Sequence, residues 1–188
     1  SAADLKTIDA ATTGTLTITS VTRITGLLAD VNSILTDSDN QITGEGSELI
    51  TLTDATLSAS ALATLLVDGN QLTDKSITVV ASTIEGTAAE VATIMTATTG
   101  LLNQHNVDNG NDGSTVVIGM EGINVNINSG TATAAQIGAI STQTTGTVTA
   151  TITASQTMTD LLATGGLSEA ISSSFAGHDL TITLADTE

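Results

Sequence analysis

TAAEVATI (Thr87–Ile94) recurs, 46 residues on, as TAAQIGAI (Thr133–Ile140). Read loosely, the pattern is a small polar residue, an acid or amide fourth, and aliphatics fifth and eighth. It returns as SAADLKTI from Ser1, LLADVNSI from Leu27 and SASALATL from Ser58, with a degraded copy, TMTDLLAT, from Thr157. Six copies in 188 residues make an internal repeat, and a repeat constrains architecture before any other feature does. Aliphatics at positions five and eight form an i, i+3 pair on one helical face. Thr87 with Glu90, and Thr133 with Gln136, also have the spacing of a capping box, in which hydroxyl and carboxylate or amide satisfy each other's backbone donors. The octets therefore predict short helices whose fifth and eighth residues line one core.

Between the octets the period changes to two. GTLTITS (Gly14–Ser20), ELITLTD (Glu48–Asp54), KSITVVA (Lys75–Ala81), STVVIGM (Ser114–Met120), GTVTATITA (Gly146–Ala154) and DLTITLA (Asp179–Ala185) alternate, or nearly alternate, Thr with Val, Ile or Leu. That is the pattern of half-buried strands. The predicted unit is helix, loop, strand, loop, and strands joined by helical crossovers run parallel. A doubly wound sheet has strands apolar on both faces, whereas these carry Thr at every second position, Thr149 among them. The reading is an α/β repeat solenoid: a parallel β-sheet with short helices on one face. A parallel β-helix and a doubly wound sheet are the alternatives, the former because six to eight residues make a marginal helix. Residues 1–188 read as a single array of about six helix-strand units. An insertion near 103–130 holds the Asn/Gly-rich His105–Gly113 and a further alternating segment, INVNINS (Ile123–Ser129).

Composition narrows the function. The chain is 40% hydrophobic, with one Phe, no Trp, Tyr, Pro or Cys, and Thr at roughly one residue in five. Without aromatic anchors, small and β-branched side chains must do the packing, which suits thin, regular layers. A net charge of −17, with only Lys6, Arg23 and Lys75 basic, repels phosphate backbones and anionic lipid and suits salty surroundings. Nucleic acid is thereby excluded as a partner. No apolar run approaches the ~20 residues that span a bilayer, so membrane insertion is not expected. The chain starts inside a repeat with no signal peptide ahead of it, which reads as a processed chain or a cut piece. The final strand, Leu180–Leu184, would continue in repeat register into a second Ser1 octet, and neither end carries a polar capping repeat.

IDAATTGTLTIT (Ile8–Thr19), ISTQTTGTVTAT (Ile140–Thr151) and IEGTAAEVATI (Ile84–Ile94) resemble the Thr/Ala-rich β-strand repeat units of large secreted, adhesin-like surface proteins of marine cyanobacteria and other aquatic bacteria. Similar units occur in some phage structural proteins. The resemblance is one of composition and repeat, weakest across 103–130. It implies an extracellular or cell-surface, non-catalytic, structural or adhesive role, and it defines no functional residues.

Motifs for chemistry are sparse. There is no P-loop, GxGxxG, GxSxG or HExxH string. His105 and His178 lie far apart in a chain without Cys and read as surface residues, and Glu45 and Glu48 in TGEGSEL read as a solvated turn. Calcium is the one cofactor to weigh: Asp37 and Asp39 in DSDN, and Asp108 and Asp112 in NVDNGNDGS, gather hard oxygen donors in polar loops. The bland account of those loops is that Asn, Asp and Gly make turns. Rows of Thr on a flat sheet could also order water against ice or another crystalline surface, although Thr equally suits any solvated strand face. The function expected from all this is a structural module, not an enzyme, which stacks end to end with covalent neighbouring repeats or with copies of itself into a filament. The alternative is a surface binding module for glycan, calcium or a crystalline surface, as in an adhesin or a phage fibre segment.

Overall fold

The computed structural model describes residues 1–36, 42–44, 48–66, 76–95, 100–101, 117–129, 132–152 and 179–182. The sixth octet, from Thr157, and most of the insertion lie outside them. Five octets fold as expected, as α1 (Ala2–Ala11), α2 (Leu28–Leu35), α3 (Ala59–Leu66), α4 (Ala88–Met95) and α5 (Ala134–Ser141). Each helix begins one residue after its octet does, so the first octet residue takes the capping position. At α4 the Thr87 backbone N–H and hydroxyl both donate to Glu90 Oε2, at 2.8 and 2.9 Å, while Glu90 N–H donates to Thr87 Oγ1. Thr133 with Gln136, and Ser1 with Asp4, build the same box. Such caps matter because an isolated eight-residue helix is marginal in water.

The strands are β1 (Leu16–Thr17), β2 (Arg23–Gly26), β3 (Ile42–Thr43), β4 (Leu49–Leu52), β5 (Thr56–Ser58), β6 (Ile77–Val79), β7 (Thr83–Thr87), β8 (Val117–Ile118), β9 (Asn124–Ser129), β10 (Val148–Ile152) and β11 (Asp179–Ile182). Every pairing among them is parallel. They form one sheet in the order β2-β4-β6-β8, a second in the order β11-β10-β9-β7-β5, and the pair β1-β3. The architecture is thus α/β with parallel sheets, and neither sheet closes into a barrel. Strand order follows chain order without reversing, unlike a doubly wound sheet.

The unit differs from the expected one. Where octets lie 31 and 29 residues apart, two strands intervene after any short piece: β4 then β5, and β6 then β7. The second of each pair runs straight into the next helix. Before α2, by contrast, β2 alone holds that place. After α5, β10 enters the second sheet with no strand of the first sheet before it. The sheets are consequently staggered along the molecule.

Register carries the apolar positions into continuous files. Ile24, Ile50 and Ile77 pair in turn across the first sheet, and Leu57, Ile84, Val125 and Val148 across the second. All seven are buried and belong to one core cluster with the octet aliphatics Val31, Ile34, Leu62, Leu65, Val91, Ile94, Ile137 and Ile140. Burying one such side chain is worth about 1.5–3 kcal/mol, which offsets the absence of aromatics. Octet position two is buried as well, as Ala2, Leu28, Ala59 and Ala88. At Ala59 the strand β7 approaches closely: a Cβ on Gly86 would lie 3.0 Å from Ala59 Cβ.

Candidate functional site

The outward side of the sheets carries the residues that alternate with the core files. On the first sheet Thr25, Thr51 and Thr78 pair in succession, a file that ends at the apolar Ile118. These threonines are half-buried, and Arg23 Nη1 donates to Thr51 Oγ1 at 3.4 Å. The adjacent outward file holds Arg23 beside Leu49. On the second sheet the corresponding file is Ser58, Glu85, Asn126 and Thr149, with Asp179 next in register. Thr149 is exposed, as its place in the alternation requires. The two files differ in chemistry: three hydroxyls crossed by a guanidinium on one, and mixed hydroxyl, carboxylate and amide on the other. Among the described residues of the first sheet, hydroxyls repeat on one spacing for three strands.

Where helix meets helix, the side chains link one repeat to the next. Lys6, at octet position six, donates to Asp30, at position four of the following octet, at 2.6 Å. Asn32 Nδ2, again at position six, donates to the Ala61 carbonyl, again at position four, at 2.9 Å. The N-cap of α2 is Leu27, which has no acceptor to offer, so Asp54 in the β4–β5 connection accepts the Leu28 N–H at 2.8 Å instead. That arrangement leaves Asp30 available to Lys6. The carboxyls of Glu90 and Asp4 sit below their ordinary pKa. The backbone N–H of Thr87 is the leading cause for Glu90, and the hydroxyl of Ser1, followed by the N-terminal ammonium, for Asp4.

A local motif repeats atom for atom. In TTGT at 144–147 the Gly146 N–H donates to Thr144 Oγ1 at 2.9 Å, and in TTGT at 12–15 the Gly14 N–H donates to Thr12 Oγ1 at 3.2 Å. Thr144 is buried, and its hydroxyl donates to the Ile123 carbonyl at 2.6 Å, tying the turn to the segment that leads into β9.

The calcium candidates Asp37, Asp39, Asp108 and Asp112 lie outside the described residues, as do His105, His178 and Glu45. Glu48 is described, and it corrects the reading of TGEGSEL as a solvated turn throughout: it is buried, immediately before β4. Among the described residues no group of three or more His, Asp or Glu could hold a metal ion, and no helix is long and apolar enough to cross a membrane. The inter-repeat links were not legible in the sequence. Their signal is the pairing of octet position six with position four of the next copy, which acquires meaning only once the helices are known to be neighbours. No family model, no curated protein and no solved structure matches the chain.

Proposed function

We propose that this chain is a non-catalytic structural module of an extracellular or cell-surface repeat protein. Its helix-strand units stack as an α/β solenoid that extends, end to end, into a long protein or filament. The observation that carries the reading is the recurrence of register. The chain returns to the same strand position after 26 residues, from Ile24 to Ile50, and again after 27, from Ile50 to Ile77. The helices α1 to α5 meanwhile pack in chain order. Each unit touches mainly the units before and after it, which is the economy of a quasi-one-dimensional protein.

The chemistry of the surface supports a mechanical role. Its net charge of −17 keeps an extended object soluble and apart from other acidic surfaces, and the outward files offer water mainly hydroxyl, amide and charged groups. Antibodies raised against the chain and applied to intact cells of the source organism test this reading. Labelling of unpermeabilised cells is the expected result, and labelling only after permeabilisation contradicts it.

A further inference from the structure

Five large hydrophobic side chains are exposed among the described residues, and four of them, Leu27, Leu49, Val80 and Ile118, lie on the outward side of the first sheet. Register gathers them there. Leu49 pairs with Arg23, and Ile118 pairs with Thr78 one row further along the strands. Leu27 follows β2 with extended backbone, so it continues the outward alternation of Arg23 and Thr25. The ladder itself runs one residue past these strands: the Thr53 N–H donates to the Gly26 carbonyl at 3.0 Å, and the Val80 N–H donates to the Leu52 carbonyl at 3.2 Å. Carboxylates are kept off this side. Glu48 and Asp54 flank β4, yet both fall on the inner parity, where Glu48 is buried and Asp54 accepts the Leu28 N–H. Arg23 is the one charge among the described outward positions of the sheet. The face runs along the stack and not across its end, so a further covalent repeat would lengthen it and leave it open.

We propose that the outward side of the first sheet is a docking face for the same side of a second copy of this chain. Charge selects the occupant. Copies carrying −17 each repel, and on the other described sides they would set carboxylate against carboxylate. The second sheet's outward file holds Glu85, and the helix layer holds Asp4, Asp30 and Glu90. On the first sheet, aliphatic groups and threonine methyls meet their own kind with no acid opposed. Two such faces pack about 10 Å apart with their strands within about 30° of one another, as in a β-sandwich. Area points to the same occupant. Four strands about 4.8 Å apart, each about five residues long, present a footprint of roughly 300 Å². A standard interface buries about 800 Å² on each partner, so a single patch of this size pairs weakly. Only a partner of the same period can enlarge the contact unit by unit, and a second copy has that period. Because each copy offers the same surface, the contact is isologous and closes at two.

The inference stands on the first sheet and fails separately from the cell-surface reading, which the antibody labelling tests. Sedimentation velocity of the 188-residue chain, over series of protein and sodium chloride concentrations, reads the association. Val80→Asp sets a carboxylate on the proposed face at a residue 64% exposed, and Thr149→Asp sets the same charge on the exposed side of the second sheet. The wild type is expected to form dimers, and more of them as salt shortens the reach of the repulsion to about 10 Å at 0.1 M. Val80→Asp should weaken dimerisation at least about tenfold with an unchanged circular-dichroism melt, because the contact would desolvate its charge. Thr149→Asp should dimerise as the wild type does. A wild type that stays monomeric at every concentration, or a Val80→Asp variant that dimerises normally, would overturn the proposal. Equal losses in both variants, or growth beyond the dimer, would overturn it as well, since neither fits a closed contact on this one face.

Discussion

Gly26 ends β2 directly against Ala2 of the preceding helix: a Cβ placed on residue 26 would sit 2.8 Å from the Ala2 Cβ. The same relation recurs between Gly86 and Ala59, again one residue before an octet and at position two of the octet before it. Close approach of strand to helix therefore recurs at two of the octets. Gly26→Ala should cost about 1–3 kcal/mol by overpacking. The exchange Ala2→Gly with Gly26→Ala should recover much of that loss, which a double-mutant cycle in urea would measure.

The capping of α2 by Asp54, from the β4–β5 connection, makes a second prediction. Removing the carboxylate in Asp54→Ala should cost about 1 kcal/mol, the usual value of a lost N-cap. Adding Leu27→Thr supplies a local acceptor and should restore part of it. If Asp54→Ala melts as the wild type does, the bond from Leu28 contributes nothing to stability.

Acid sensitivity should follow from the Thr87–Glu90 box. The folded-state pKa of Glu90 is depressed by the donors of Thr87. Its contribution to stability is therefore present above the ordinary glutamate pKa and is lost as pH falls through the lower, folded value. Glu90→Gln copies the Thr133–Gln136 box already used at α5 and should fold normally. Urea midpoints measured from neutral to acidic pH should fall less steeply in Glu90→Gln than in the wild type, and parallel curves would contradict the assignment.

The assignment of inner and outer faces has its own contrast. Val91 is fully buried at octet position five, so Val91→Asp should destabilise by several kcal/mol through an unpaired buried carboxylate. Thr149→Asn on the outward file of β10 should change stability by under about 1 kcal/mol. Equal losses of melting temperature would refute the faces.

The octets were legible as helices because their signals are local: a capping residue, an acid or amide three positions on, and aliphatics at helical spacing. The longer Thr-alternating strands β4 and β10 were legible for the same reason. RITG, TLS and TIEGT were not, although they form β2, β5 and β7. These runs are three to five residues long, two of them contain Gly, and they draw their hydrogen bonds from strands 26 or more residues away. Local periodicity has no purchase on such segments. The burial of Ala2 and Ala59 was hidden likewise, since alanine signals either face and only the opposing glycine identifies the contact. For the calcium candidates in the polar loops, the sequence supplies donors but no geometry.

Modularity is the central claim, and deleting one repeat tests it most directly. Removing Ser58–Gly86, one full octet-to-octet interval, joins Leu57 to Thr87, so that β5 leads into α4 through Thr87 as it now leads into α3 through Ser58. Removing only residues 73–86 deletes β6 and most of β7 and sets two helices in succession with no strands between them. Thermal melts followed by circular dichroism compare the two. A stack of repeats predicts that the larger deletion keeps a cooperative transition and native ellipticity per residue while the smaller one loses both. If the whole-repeat deletion unfolds as completely as the half-repeat deletion, the chain is not built from interchangeable units, and the structural role argued from them falls with it.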